Sequence, residues 1–449
     1  MNRKFFLFAL LSTTLCSVAA ENFYSDGIRY EIDDDSTVYV IHLGDINDIA
    51  PQDGSDKYEG DIIIPASVSY KGVKYNVIGI NSYAFYKCKN LTSVTMLDGA
   101  IYIFDYAFAQ CDKLTSVNIP NSIQSIADHA FDNTAWYDAQ PDGVVYVGRV
   151  AYKYKGTMPQ ETGIVIKDGT VSITENAFKG CSNLISIELP STVISIGPDA
   201  FRNCTKLAAV SVPESVTSIG IDAFEGTAWY DALPNGIIYI GGMLYGYKGS
   251  GMLWDTLVIR DGIKVINRQS LSRQSGLKAV IIPEGVTTIG VEAFYHCENL
   301  DSVLLPSSLT ILGPYAFSEC VNLKSITIPQ QVIYIGYGAF DGCDKIVSIK
   351  SSAVEPPLMY PNAFSSTVYD KAVLYVPAES VNAYKNAEGW SQFRNIQAIS
   401  TTTNVANTGK DIVIVGYYDL SGKKIEEPRN GLYIIKYSNG QTKKVLIEE

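Results

Sequence analysis

The sequence predicts a stacked repeat: a solenoid with a parallel sheet along one side. Three observations predict it. An Ala-Phe pair recurs at a fixed step, with Phe85, Phe108 and Phe131 spaced 23 apart, as are Phe178, Phe201 and Phe224, and then Phe294, Phe317 and Phe340. Short alternating segments, LTSVNIP, LISIELP, LDSVLLP and LKSITIP, each close on Pro. At 449 residues the chain also exceeds what one compact core usually serves. A unit this short cannot bury its own apolar face and must stack on its neighbours. Phe364 follows at a step of 24, and Leu271 fills the same slot 23 before Phe294, which gives eleven turns.

Taken in chain order, residues 1–20 read as a signal peptide. Arg3 and Lys4 precede an apolar run over residues 5–11, and small residues at 17–20 place the cut after Ala20. The run is too short to span a bilayer. Leu15 before Cys16 is bulky where a lipid-modification site wants a small residue. The net charge of −12 becomes 33 − 47 = −14 after cleavage, since Arg3 and Lys4 leave with the leader. An acidic chain repels phosphate, so nucleic acid is not an expected partner. A hydrophobic content of 47% excludes a disordered acidic tail.

Residues 21–61 are expected to form an N-terminal β cap. The acidic stretch there holds Asp33, Asp34, Asp35, Asp45, Asp48, Asp53 and Asp56. Their spacing fits no EF-hand loop, and a solvated face is the expected reading.

The repeat itself reads well in residues 193–213, VISIGPDAFRNCTKLAAVSVP. Val193, Ile196, Ala200, Phe201, Cys204, Leu207, Val210 and Val212 point inward. The alternating end is a strand, and Pro213 stops it because Pro has no N–H for the ladder. AFxxCxxL suits a helical or 3₁₀ turn on the opposite face. Strand spacing sets the rise at about 4.8 Å per turn, so eleven turns extend roughly 50 Å. Outward strand positions are mostly small or polar: Ser116 and Asn118, Ser186 and Glu188, Ser302 and Leu304, Ser325 and Thr327. The turn at Leu271 is expected to be weakest, because Ser270, Leu271 and Gln274 replace Ala, Phe and Cys.

Seven cysteines follow the leader, each three after a repeat Phe: Cys88, Cys111, Cys181, Cys204, Cys297, Cys320 and Cys343. Parallel in-register side chains hold their Cβ atoms about 4.8 Å apart, beyond the usual reach of a disulfide. Free buried thiols are therefore expected. A zinc site is not, because the thiols line up instead of converging.

Two stretches interrupt the period. Phe131 to Phe178 and Phe224 to Leu271 are each 47 residues, and each opens alike: TAWYDAQPDGVVYVGRVAYKYKG from Thr134 and TAWYDALPNGIIYIGGMLYGYKG from Thr227. Thr134 and Thr227 take the Cys slot. Both stretches read as inserted β-hairpins. Period two places Tyr146, Tyr152 and Tyr154 on one face, matched by Tyr239, Tyr245 and Tyr247 in the second copy. One reading has these rings covering the core. The other makes them, with Trp136, Tyr137, Trp229 and Tyr230, a pair of aromatic platforms for glycan or peptide, about 20 Å apart on the strand-spacing estimate. These ten residues are the candidate ligand-binding set.

Catalytic patterns are absent: there is no GxSxG, HExxH or P-loop. The one Cys beside a His, Cys297 next to His296, is a sequence neighbour inside a turn, which turns the two side chains apart. Three His residues (His42, His129, His296) are too scattered for a His-rich metal site. No enzyme, cofactor or metal is expected.

Residues 397–410 read as a linker, polar and Thr/Asn-rich in STTTNVANTGK, and residues 411–449 as a small C-terminal β module, with a bend at Ser438-Asn439-Gly440.

The unit IPxxVxxIGxxAFxxCxxLxSV resembles the leucine-rich repeat of the BspA-like bacterial surface-antigen family over residues 62–396. GDIIIPASVSYKGVKYNVIGI resembles the family's N-terminal cap, and LYVPAESVNAYKNAEGWSQFRNI its closing strand and helix. The resemblance implies an α/β right-handed solenoid, export, and a role as an adhesin for host matrix proteins or other cells. The C-terminal module resembles the sorting domain of the type IX secretion system, through Tyr418, Asp419, Leu420, Gly422, Lys423, Gly431, Tyr433, Lys443, Lys444 and Val445. That implies attachment at the outer surface. Two function classes remain open: an adhesin or recognition module, and a glycan-capture protein serving nutrient uptake.

Overall fold

The structure, a computed structural model, describes residues 21–34, 36–43, 58–249, 251 and 255–399, together with the backbone of four later strands. The leader, most of the acidic stretch (Asp35, Asp45, Asp48, Asp53 and Asp56), linker residues 400–410 and the bend at 438–440 lie outside the described residues. The chain divides into two compact units, one ending at Leu233 and the other beginning at Pro234.

The first unit opens with an antiparallel meander, Asn22–Ser25, Ile28–Asp34 and Thr37–Ile41. Its third strand pairs in parallel with Val73–Ile80, and stacking begins there. From this point each turn contributes two strands to two different parallel sheets. The wider sheet runs through Gly60–Ile64, Leu91–Met96 and Ser116–Asn118, and resumes as Thr162–Val165, Leu184–Glu188 and Ala209–Ser211. The narrower sheet is built from two-residue strands such as Ser172–Ile173, Ser195–Ile196 and Ser218–Ile219. The second unit repeats the plan. Its wider sheets contain Thr256–Val258, Ala279–Ile281 and Ser302–Leu304, then Ser325–Ile328, Ser348–Ser351, Val373–Val376 and Asn395–Ala398. Its narrower sheet runs from Met243–Lys248 to Leu358–Met359.

The solenoid expectation holds, with corrections. Each turn has three walls, not a sheet opposed by helical turns. The narrow sheet escapes a period-two reading because two residues carry no period. Both stretches expected as inserted hairpins also supply a rung. Val150–Lys155 pairs in parallel with Ser172–Ile173, and Met243–Lys248 with Val265–Ile266. The two units together carry about 14 turns, against the eleven counted from the Phe column.

The third wall, around each Ala-Phe, is not helical. The residues two before and two after the Phe adopt the left-handed region, for example Tyr83 (φ 62°) and Lys87 (φ 58°) around Phe85. A helix cannot pass through alternating left- and right-handed residues. The alternation aims every second amide at the following turn. Tyr83 N donates to Asp105 O (3.0 Å), Phe85 N to Ala107 O (2.7 Å) and Lys87 N to Ala109 O (2.9 Å). Glu292, Phe294 and His296 do the same in the second unit, to Pro314, Ala316 and Ser318.

This spacing stacks the rings. Phe85 and Phe108 lie 4.9 Å apart, Phe178 and Phe201 5.2 Å, and Phe294 and Phe317 4.9 Å, all within 12° of parallel. All are fully buried. On the narrow wall successive turns approach closely, and Gly follows the Ser-Ile pair for that reason. A Cβ on Gly220 would sit 2.2 Å from Pro198 N. The last turns are closed by the helix Val381–Asn386 and by Trp390, whose Nε1 donates to Pro357 O (2.8 Å). The C-terminal strands Ile414–Tyr418, Lys424–Ile425, Gly431–Tyr437 and Thr442–Ile447 form a small antiparallel set. Its last strand pairs in parallel with Thr256–Val258, Leu446 opposite Leu257.

Phe201→Ala removes one ring from a stack of three and should cost about 3–5 kcal/mol in urea unfolding. Gly220→Ala should cost about 1–3 kcal/mol, because its neighbour is backbone and cannot rotate away. Leu271 fills its slot fully buried, but the hydroxyl of neighbouring Ser270 is buried without a partner. The Leu271 amide should therefore exchange with solvent faster than that of Phe317; equal protection would show that the substituted turn is not weaker.

Candidate functional site

The two breaks begin where the Cys rule changes. In ordinary turns the Cys thiol donates to the carbonyl of the residue in the Phe slot one turn earlier. Cys111 reaches Phe85 O (3.0 Å), Cys204 Phe178 O (3.0 Å), Cys297 Leu271 O (3.1 Å) and Cys343 Phe317 O (3.0 Å). Phe131 and Phe224 are followed by turns with no Cys. Their carbonyls are satisfied from within their own turn, by Thr134 Oγ1 (2.9 Å) and Thr227 Oγ1 (2.8 Å). The same hydroxyls accept from Tyr137 N and Tyr230 N, both at 3.1 Å. They thereby cap two short helices, α1 (Ala135–Asp138) and α2 (Ala228–Ala232). A hydroxyl both donates and accepts well, and a thiol does neither strongly. That is why Thr stands here in place of Cys.

Each helix then lays its Trp over the last ring. Trp136 lies 5.0 Å from Phe131 and Trp229 5.0 Å from Phe224, tilted by 53° and 63°. Their backbone amides donate to Leu114 O (2.6 Å) and Leu207 O (2.7 Å).

The tyrosines do not share one face as period two implies. A bulge shifts each hairpin register. Val145 faces Lys153 and Tyr146 faces Ala151, which leaves Tyr152 as the extra residue, and Tyr245 is extra in the same way. Tyr152 is fully buried. Its hydroxyl accepts from Phe131 N (3.2 Å) and donates to Asp128 O. The arrangement recurs at Phe364, where Tyr369 OH accepts from Phe364 N (3.3 Å) and donates to Pro361 O (2.8 Å). Tyr152 therefore closes the Phe ladder, and its buried ring offers no surface to a ligand.

The remaining candidates are half-buried. Tyr146 OH accepts from Lys167 N (3.1 Å) and Tyr239 OH from Arg260 N (3.4 Å). The Arg260 guanidinium also covers the Tyr239 ring at 4.2 Å. Lys155 lies over Tyr137 and binds the carbonyls at the end of α1. Tyr154 packs 6.4 Å from Phe178, Tyr247 OH donates to Gly251 O (2.8 Å), and Tyr245 is likewise in contact. Of the first five candidates, Trp136, Tyr137 and Tyr152 come together around Phe131, while Tyr146 and Tyr154 lie further along the hairpin, toward Lys167 and Phe178. Of the second five, Trp229 and Tyr230 belong to the first unit, and Tyr239, Tyr245 and Tyr247 to the second.

Sequence reasoning missed an ion cluster at the first break. Lys153 Nζ lies 2.9 Å from Asp128 Oδ1 and 3.9 Å from Asp132 Oδ1. His129 Nδ1 is 2.7 Å from Asp132 Oδ2, and Asn176 Nδ2 donates to Asp128 Oδ2 (3.0 Å). Burial works against the Lys153 charge, but the hydrogen bond to Asp128 and the charges of Asp128 and Asp132 outweigh it and hold its pKa above the ordinary value. Burial first, then neighbouring acids, raise Glu175. The signal was available by aligning the two copies, since Ile221 and Gly246 stand where Asp128 and Lys153 do. The cluster is a half-buried cation held between two carboxylates, of which Asp128 is buried.

No group of His, Cys, Asp and Glu among the described residues converges as a metal site. In the acidic stretch Asp34 accepts from Ser36, and Asp33 from Thr37. The seven cysteines are free. Burial pushes Cys204 and Cys297 up to about 12, and Cys181 to about 11. His296 faces Glu298, while Cys297 is buried against Leu271 O. On the wider sheets Ser116, Asn118, Glu188, Ser302, Ser325 and Thr327 are exposed. No helix among the described residues is long and apolar enough to cross a membrane.

The sequence pattern of the BspA-type leucine-rich repeat region matches the chain in six copies, across residues 78–152, 147–247 and 245–368. A comparison with curated proteins finds no match. Among solved structures, a leucine-rich cell surface protein from Faecalibacterium prausnitzii is 22% identical, with 85% of this chain and 95% of that one covered and a TM-score of 0.29. The pneumococcal vaccine antigen PcpA is 17% identical, with coverage of 85% and 99% and a TM-score of 0.34. A leucine-rich repeat protein from Bacteroides ovatus is 21% identical, with coverage of 84% and 100% and a TM-score of 0.25.

Thr134→Val removes a donor and a cap together and should cost about 1–3 kcal/mol. Thr134→Cys restores the ordinary repeat residue and should still destabilise; full stability would show that the hydroxyl is not what the break requires. In the folded protein at pH 8 a thiol reagent should label Cys181 first and leave Cys204 and Cys297 unreacted until the chain is unfolded.

Proposed function

Because the chain belongs to the BspA-type leucine-rich repeat family, we propose that it is an exported, non-catalytic recognition protein of the bacterial surface, an adhesin that binds a protein partner through the outward faces of its wider sheets. The observation that carries this reading is how side chains are divided between core and surface. Inward positions of each turn are consumed by the core. The aromatic residues at the breaks are engaged in closing Phe stacks and bracing hairpins. The outward sheet positions have no such duty.

In the first unit that face presents Ser116, Asn118 and Glu188 beside exposed Ile63 and Val165; in the second it presents Ser302, Ser325 and Thr327 beside exposed Leu304. Small polar residues punctuated by single apolar ones let a large partner approach closely without creating an aggregating patch. Export rests on the leader, and surface attachment on the C-terminal module.

The mature chain should bind one or more extracellular matrix proteins in a solid-phase screen. Ser116→Arg with Asn118→Glu should weaken that binding at least about tenfold, as unmatched charges do at an interface. Tyr154→Ser and Tyr247→Ser, made together, should leave it unchanged. A glycan-array signal lost in the tyrosine variant, with no protein partner found, would instead assign glycan capture at the hairpins.

A further inference from the structure

The duplicated sequence places two strands at the same point after each break. GIVIKDG (residues 163–169) and TLVIRDG (residues 256–262) are 93 residues apart. The second is paired on both edges. Ala279–Ile281 lies on one side, and the chain's own C-terminal strand Thr442–Ile447 on the other. The first, Thr162–Val165, is paired among the described residues on one edge only, with Leu184–Glu188.

The direction of its free groups follows from the printed bonds. Thr162 N donates to Asn183 O (3.0 Å) and Ile166 N to Glu188 O (2.9 Å). Successive peptide groups in a strand face opposite edges, so Gly163 and Val165 turn theirs outward, away from Leu184–Glu188. Helix α1 sits nearby in sequence, but the backbone bond of its Trp136 goes to Leu114.

Natural edge strands are usually protected by Lys, Pro or a strong bulge. This one carries only a one-residue register shift at Thr162. Its Val165 side chain is 72% exposed, more than any other exposed large hydrophobic residue described.

We propose that this edge takes, by parallel strand addition, the C-terminal strand Thr442–Ile447 of a second copy of the chain. That strand already pairs with the equivalent edge, where Leu257 stands at the position of Ile164. Strand addition draws its affinity from backbone hydrogen bonds, so the two edges offer the incoming strand the same ladder. A donor chain must first release its strand from Thr256–Val258. Self-association therefore competes with the internal pairing.

The test is light scattering on the mature full-length chain over a wide concentration range. The mass should rise from one chain toward two with concentration. Val165→Pro deletes one outward amide without touching the ladder to Leu184–Glu188, and should weaken association up to about tenfold. Val165→Lys supplies a second block that keeps the backbone intact should the Pro variant misfold by circular dichroism. Val258→Pro removes the matching amide from the occupied edge, frees the strand, and should strengthen association. A chain ending at residue 399 should stay monomeric. A monomer at every concentration in both the parent and the Val258→Pro chain overturns the proposal. So does a dimer that survives truncation, or one that is lost on truncation but indifferent to both Val165 changes.

Discussion

Within a stack the Phe amide donates to the Ala carbonyl of the following turn, and most other features of the repeat follow from that bond. It fixes the offset between turns, which brings the Phe rings to a stacking distance near 5 Å. Reaching it forces residues two before and two after the Phe into the left-handed region. Only glycine takes that region without cost, yet Tyr83, Lys87, Glu292 and His296 are all held there. Each such residue carries a small local penalty, which the stacked neighbours must outweigh. No single turn meets that condition alone, so the fold is cooperative along the stack.

The same bond explains the breaks. A ladder that runs out of following turns leaves a buried amide and a buried carbonyl at the Phe. Leaving either unpaired costs about 1–3 kcal/mol. At Phe131, Tyr152 accepts from the amide and Thr134 donates to the carbonyl. At Phe364 a different tyrosine, reached through a different sequence, meets the amide in the same way. Two unrelated stretches of chain thus arrive at one solution, which argues that the requirement is physical. The burial of Tyr152 at the first break follows from that requirement.

Much of this was legible in the sequence. The 23-residue step gave the stack, Pro gave the ends of the wider strands, and in-register geometry gave free thiols. Three things were not. The narrow sheet is too short to show a period. The left-handed residues around Phe vary among Tyr, Lys, Asp, Asn and Glu, so no residue type announces them. The bulges at Tyr152 and Tyr245 add one residue and undo the period-two alternation that aligns three tyrosines in the sequence. Of the ten candidate residues, Tyr152 is a structural closure, Trp136 and Trp229 lie over the last Phe rings, and Tyr146 and Tyr239 brace the hairpins. A binding face is harder to read because small exposed residues such as Ser116 and Asn118 record what a surface permits and not what it meets.

The aligned amides of the Ala-Phe wall also make each stack a directional polymer. One terminus presents donors and the other acceptors, so turns can be added only head to tail. Two like ends brought together would set donor against donor. A stack left open at both ends would be a seed for filament growth, since a heterologous contact of this kind has no reason to close. In this light the hydroxyls of Tyr152 and Tyr369 act as chain stoppers. By occupying the last donor each ends its own Phe stack and leaves no open amide there to template a further turn.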